Sequence, residues 1–114
     1  MTAVRPFVPS TDLDTSVAFY RMLGFTLGHR DDSVAIMDFD GAGILIQNYW
    51  VEQWAHNWMA QLIVPDLDAW WPRTEGLAER FGVRAPKAPE MQPWGIRVGY
   101  VVDPAGVLWH VIQG

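Results

Sequence analysis

The chain has 114 residues, half of them hydrophobic, no cysteine and a formal net charge of −5. That size and apolar content predict a single folded domain over residues 1–114. The negative net charge argues against nucleic-acid binding. The lack of cysteine excludes a thiolate nucleophile, a disulfide and a Cys-ligated metal. The N-terminal residues lack the apolar stretch of a signal peptide and no apolar run is long enough to span a membrane, so we expect a cytoplasmic protein without a membrane partner.

The first half of the chain predicts one strand, one helix and three further strands. Residues 4–8 read as a short apolar strand, and the side-chain oxygen of Asp12 can cap a helix that starts at Leu13. Apolar residues recur at helical spacing as far as Leu23, and Gly24 ends the helix. Turn-forming residues then separate three strands, at roughly residues 25–29, 34–39 and 43–49.

The second half repeats this order. A strand is predicted at roughly residues 58–64, followed by Asp66 as a helix cap. Pro72 cannot donate a backbone hydrogen bond, so the helix must kink there or restart with Pro72 in its first turn. The proline-rich segment at 85–92 reads as irregular and partly stranded. Two clearer strands, at 96–102 and 107–113, flank a predicted type I turn.

The two halves also share residues in the same order. The segment at 8–14 reappears, shortened, at 64–68, and both copies contain an Asp-Leu-Asp triplet. The segment at 40–47 is paralleled by 103–110, which pairs Gln47 with His110. Two matched pairs of segments that occur in the same order in both halves predict a duplicated unit. The predicted parts are a first module at 3–49, a linker at 50–56 and a second module at 57–114.

Several of these segments resemble a known family. The first helix reads DLDTSVAFY at residues 12–20, with LGF at 23–25, and the closing strands read PWGIR at 93–97 and DPAGVLWH at 103–110. These motifs resemble the vicinal oxygen chelate superfamily, in particular its glyoxalase and bleomycin-resistance branch. The resemblance implies an α+β fold, in which two βαβββ modules form a cupped mixed sheet around a cavity with the helices outside. It does not fix an activity, because one fold carries many.

Catalytic members of that superfamily hold a divalent metal with His and Glu from the first and last strand of each module. The matching positions here are Arg5, Gln47, Met59 and His110. Arginine cannot ligate a metal, and methionine is a poor ligand for hard ions. We therefore expect no metal and no cofactor. His56 could serve as a ligand if the register slips, so a metal-dependent glyoxalase-like lyase, isomerase or dioxygenase is the alternative.

Side chains that alternate toward the cavity form the predicted lining. An ordinary structural role is the competing interpretation: His110 could be a satisfied strand histidine, and Arg97 could pair with Asp38 or Glu90 at the surface. The predicted strand contacts to the ligand are Phe7, Gln47, Tyr49, Gln61, Arg97 and His110.

Seven tryptophans are many for this length. Trp50, Trp54 and Trp58 recur every four residues, which predicts one face of a short helix that covers either the cavity or a second subunit. Trp94, between Pro93 and Gly95, is predicted at the cavity mouth. The other three are expected in the core: Trp70, Trp71 and Trp109.

These features favour a metal-free protein that sequesters a small aromatic compound or antibiotic, and that forms a homodimer as bleomycin-resistance proteins do. Two other functions stay open. The chain could be a metal-assisted enzyme that uses His110, or an interaction module whose partner covers the Trp50, Trp54 and Trp58 face.

Overall fold

The computed structural model describes residues 2–114, so Met1, the first residue of the predicted domain, lies outside the described residues. Eight strands and four α-helices follow in the order β1, α1, β2, β3, β4, α2, β5, α3, α4, β6, β7, β8. The strands are β1 Phe7–Pro9, β2 Thr26–Arg30, β3 Val34–Phe39, β4 Ala42–Gln47, β5 Met59–Val64, β6 Lys87–Met91, β7 Arg97–Val102 and β8 Leu108–Gln113. The helices are α1 Leu13–Leu23, α2 Glu52–Asn57, α3 Leu67–Trp70 and α4 Leu77–Phe81.

Helix α1 has the predicted bounds because its two ends are fixed locally. The Asp12 side chain accepts hydrogen bonds from the backbone N–H groups of Asp14 and Thr15. Gly24 ends the helix with φ of 113°, a left-handed conformation that favours glycine. A Cβ at this position would also lie 2.7 Å from the Phe39 ring.

The second helical region is interrupted where Pro72 predicts a break. Asp66 caps α3, which ends at Trp70, and a 3₁₀ turn over Trp71–Thr74 carries Pro72 in its first positions. Helix α4 then begins after Gly76. Proline is tolerated there because the first N–H groups of a helical segment have no partner within it.

Two similar modules result, each with a four-stranded mixed sheet. The orders are β1-β4-β3-β2 and β5-β8-β7-β6, with a parallel pair at β1/β4 and at β5/β8. The segment predicted to be irregular supplies β6, which pairs with β7 around a register shift between Lys87 and Glu90. The α+β fold class is confirmed, with two mixed four-stranded sheets and helices.

The strand register corrects the repeat-based pairing of Gln47 with His110. Phe7 lies opposite Leu45, and Gln61 lies opposite His110. Phe7 and Gln61 both stand five residues before the capping aspartate of their module. His110 therefore corresponds to Leu45. The error arises because the turn between β7 and β8 is longer than the turn between β3 and β4.

Helices cover one face of both sheets, and a single hydrophobic cluster lies beneath them. Trp70 and Trp109 are buried and Trp71 is half-buried against the cluster, which confirms their predicted core positions. Within residues 2–114, no helix has the length and apolar character needed to cross a membrane.

Candidate functional site

The faces of the sheets turned away from the helices carry four of the predicted ligand contacts. Phe7 on β1 is 50% exposed and Gln61 on β5 is also exposed, while Gln47 and His110 are half-buried. All four alternate with core residues in their strands, as parity predicts. Their contact with a ligand is a prediction that geometry alone does not test.

His110 has an unusual environment. Its ring lies edge-on to Tyr100 with centroids 4.9 Å apart, and Gln61 stands opposite it in the neighbouring strand. The Nε2 atom is buried and has no hydrogen-bond partner within residues 2–114. Buried polar atoms of side chains are rarely left without a partner, so this nitrogen is a candidate polar contact for a second molecule.

The residues at the family's metal positions do not form a metal site. Arg5 lies beside Gly43, four residues along β4 from Gln47, and Met59 lies opposite Leu108. Within residues 2–114, no group of three or more His, Cys, Asp or Glu side chains is arranged to hold a metal ion. An imidazole and neutral amides without carboxylates do not match the donor set of a stable divalent site.

The structure corrects the predicted orientation of Arg97. Its guanidinium Nη2 lies 2.7 Å from Oδ1 of Asp68 on α3, which raises the pKa of Arg97 and lowers the pKa of Asp68 through the hydrogen bond. Arg97 therefore faces the helices and not the open sheet face, and its partner is neither Asp38 nor Glu90. Side chains do alternate along β7 as predicted, but Arg97 lies on the opposite face of the sheet from the one predicted.

Trp50, Trp54 and Trp58 do not form one helix face, which is a second correction. Helix α2 contains Trp54 alone among them. The indole Nε1 of Trp50 donates to the carbonyl of Ala105 at 2.8 Å, and the Trp58 ring packs against Trp109 with centroids 5.6 Å apart. Trp50 and Trp58 thus join the segment between the modules to the second module.

Tyr49 and Trp94 are exposed aromatic side chains at other places on the surface. Tyr49 is 57% exposed and lies near Trp54, with ring centroids 6.3 Å apart. Trp94 is 60% exposed in the turn between β6 and β7. Their roles in ligand binding stay predictions.

A cavity of about 360 Å³ lies between the two modules. One wall is the segment that leads into β1 together with the start of β4, and the other wall is β5. Its surface is mostly apolar, with aromatic rings from both modules. The lining includes Phe25, Phe39, Gly43, Ala60, Gln61 and Trp109.

Of the predicted site residues, Gln61 lines this cavity, and the aromatic rings around it were missed. Phe25 and Phe39 lie together because Phe25 directly precedes β2 and Phe39 is the last residue of the neighbouring β3. The two rings pack edge-on with centroids 5.3 Å apart. Trp109 was placed under the helices by parity, which is correct. No local pattern predicts that this ring also reaches a gap between the modules.

A buried polar network next to the cavity joins the two modules. The hydroxyl of Tyr20 on α1 donates to Oδ2 of Asp103 at 2.6 Å, and the indole of Trp109 donates to that hydroxyl at 2.9 Å. Oδ1 of Asp103 accepts from the backbone N–H groups of Ala105 and Val107. Burial raises the pKa of Asp103 to about 6 and raises that of Tyr20 well above its ordinary value. The sequence around Asp103 indicates only a turn.

Three bleomycin-related proteins are similar to this chain in sequence or in fold. A bleomycin resistance protein from Klebsiella pneumoniae is 31% identical over 115 residues, covering 95% of this chain and 89% of that protein. A crystal structure of a bleomycin-binding protein complexed with bleomycin matches with a TM-score of 0.80 and 26% identity, covering 100% of this chain and 99% of the other. A bleomycin resistance determinant encoded on the transposon Tn5 gives the same TM-score and identity, covering 100% and 98%.

The chain also matches the model of a protein family. The model of the Glyoxalase/Bleomycin resistance protein/Dioxygenase superfamily matches residues 3–111, which is nearly the whole chain. The match spans both modules, the cavity between them and the polar network beside it. This chain belongs to the Glyoxalase/Bleomycin resistance protein/Dioxygenase superfamily.

Proposed function

We propose that this chain binds and sequesters an antibiotic of the bleomycin type as an intact molecule, without a metal cofactor. The observation that carries the proposal is the apolar cavity with Phe25, Phe39 and Trp109 in its wall. Aromatic walls suit a flat ring system, because stacked and edge-on contacts add to the burial of apolar surface. The similarity to a bleomycin resistance protein and to a bleomycin-binding protein complexed with bleomycin supports the drug class.

The metal-dependent alternative has less support. In the corrected register its four ligand positions are occupied by Arg5, Leu45, Met59 and His110, of which only the histidine is a common ligand for a divalent ion. A reaction that needs a metal-bound oxygen would lack the carboxylates that hold such an ion in the family. Binding without chemistry requires only the cavity and a few directed polar groups, such as Gln61 and the unpaired Nε2 of His110.

We expect bleomycin to bind the purified protein with equal affinity in the presence and absence of EDTA. Isothermal titration with metal-free drug measures this, and mass spectrometry of the drug recovered after the protein is denatured shows whether it is unchanged. Stoichiometric binding and intact drug support sequestration. Binding abolished by EDTA, or a drug of altered mass, contradicts the proposal and favours the enzyme.

We further propose a homodimer that acts in the cytoplasm. Phe7, Met59 and Ile63 are 50%, 62% and 57% exposed, and all lie on the helix-free face of the edge strands β1 and β5, with Ile63 also in the cavity wall. Exposed apolar side chains grouped on free strand edges are typical of surfaces that pair with another chain. The occupant we propose is a second copy.

Analytical ultracentrifugation tests the dimer. We expect a mass of twice the chain mass of 12.9 kDa for the wild type and a monomer for Met59→Asp, because a charge on this face would have to be buried. Met91→Asp is the matched control, since Met91 is 66% exposed but lies on β6 at the opposite edge of its sheet. A monomeric wild type, or a dimeric Met59→Asp, overturns this proposal.

A further inference from the structure

We infer that the carboxylate of Asp38 is an anchoring site for a positively charged group of the ligand, a site that rests on the proposed binding function and specifies the charge of the bound compound. Asp38 lies on β3, on the helix-free face of the first sheet. It is half-buried and is not the partner of Arg97, which pairs with Asp68.

The carboxylate occupies a recess made by two glycines. A Cβ at Gly43 would lie 2.7 Å from Oδ1 of Asp38, and a Cβ at Gly28 would lie 3.1 Å from Oδ2. Gly43 stands directly opposite Asp38 in β4, and Gly28 lies at the register shift of β2. One carboxylate oxygen therefore rests over each neighbouring strand, where any larger residue would displace it.

The carboxylate has no hydrogen bond or ion pair within residues 2–114, although its backbone carbonyl accepts from Thr26. A cation also lies close to this point, since Arg5 Nε would lie 3.3 Å from the same Cβ position at Gly43. Arg5 is exposed and forms no salt bridge with Asp38. A half-buried carboxylate without a paired cation is a favourable partner for a ligand ammonium or guanidinium group.

The recess adjoins the cavity. Gly43 is both the strand partner of Asp38 and part of the cavity wall, as is Ala42 next to it. A ligand whose ring occupies the cavity can thus extend a substituent across Gly43 to Asp38. The surrounding chain also carries a net charge of −5, which favours the approach of a cation.

The test compares ring compounds that differ only in charge: 1-naphthylmethylammonium, the neutral 1-naphthalenemethanol and the anionic 1-naphthylacetate. We expect the wild type to bind the ammonium compound about tenfold more tightly than the alcohol, since hydrogen bonds to charged groups stabilise by about 1.5–3 kcal/mol. Asp38→Asn should remove that preference and leave the affinity for the alcohol unchanged. Asp32→Asn is the matched control, because it removes the same charge at an exposed turn.

The possible outcomes separate this inference from the binding function. Equal affinity of wild-type protein for the ammonium and the alcohol, or a preference that survives in Asp38→Asn, overturns the anchoring site and leaves the cavity proposal intact. If the anionic 1-naphthylacetate binds more tightly than the other two compounds, Arg5 is the charged group that recognises the ligand, and the anchoring site at Asp38 is overturned. If none of the three compounds binds, the anchoring site is overturned, while the titration with bleomycin decides the cavity proposal separately.

Discussion

Replacing Ala60 by Phe should weaken bleomycin binding by at least about tenfold while the protein stays folded. Ala60 is half-buried on β5, packs against the hydrophobic cluster and lines the cavity between the modules. A phenylalanine ring there would occupy much of the 360 Å³ available to the ligand. Tenfold corresponds to only about 1.4 kcal/mol, less than the burial of one aromatic ring contributes. Isothermal titration measures the change.

Ala88→Phe provides the matched control. Ala88 is exposed on β6 and lies outside the cavity lining, so the same substitution there should leave the affinity unchanged. Ala60→Val covers the case in which the larger ring disturbs Trp109, its neighbour on β8, and circular dichroism shows whether each variant is folded. Wild-type affinity in a folded Ala60→Phe variant would place the ligand elsewhere.

Replacing Asp103 by Ala should destabilise the protein by about 3–5 kcal/mol. Asp103 is 2% exposed and accepts hydrogen bonds from the Tyr20 hydroxyl and from the backbone N–H groups of Ala105 and Val107. Its removal leaves buried donors without an acceptor, and each such donor costs about 1–3 kcal/mol. Tyr20→Phe removes one of these bonds and should have a smaller effect. Urea unfolding measures both, and equal stability of Asp103→Ala and the wild type would contradict the structural role of this network.

The ionisation of Asp103 also makes stability depend on pH. Burial raises its pKa in the folded protein to about 6, above the ordinary value of 3.8, so the folded state holds this proton more tightly than the unfolded state. The stabilisation of the folded protein by this proton is therefore fully present below about pH 4. It is lost as the pH rises to about 6, which lowers the free energy of unfolding by about 3 kcal/mol. Other carboxylates act in the opposite direction, because hydrogen bonding to His29 lowers the pKa of Asp31 to about 2.

Comparison with Asp103→Asn isolates this effect. The amide cannot ionise, so the stability of the wild type relative to this variant should fall between pH 4 and pH 6 and then level off. Urea unfolding at a series of pH values gives that difference directly. A difference that stays constant or grows with pH would show that Asp103 is ionised throughout this range in the folded protein.

The parts of the fold that local chemistry determines could be predicted from the sequence. Asp12 and Gly24 fix the ends of α1 because capping and left-handed backbone depend on the residues at those positions. Pro72 predicts the interruption after α3 for the same reason. The two similar modules could be predicted because their turn and cap residues match, and each turn or cap consists of a few consecutive residues.

The site was predicted less well because it depends on contacts between distant segments. A turn of different length shifted the register, so that His110 corresponds to Leu45 and not to Gln47. The spacing of Trp50, Trp54 and Trp58 suited a helix, but Trp50 bonds to Ala105 and Trp58 packs on Trp109. Parity could not decide which face of β7 carries Arg97, because its partner Asp68 lies on another element. The cavity itself forms between the two modules. The periodicity of a helix or strand predicts which residues share a face of that element, but it does not predict a gap between separate modules.

The most direct test of the central claim follows the tryptophan indole N–H signals by ¹H–¹⁵N NMR while metal-free bleomycin is added in the presence of EDTA. Trp109 lines the cavity, with its indole bonded to Tyr20, whereas Trp94 is exposed in a turn outside the cavity lining and can be assigned from Trp94→Phe. We predict that the Trp109 signal shifts saturably and the Trp94 signal does not. Saturable binding that leaves Trp109 unshifted would contradict a ligand held between the two modules.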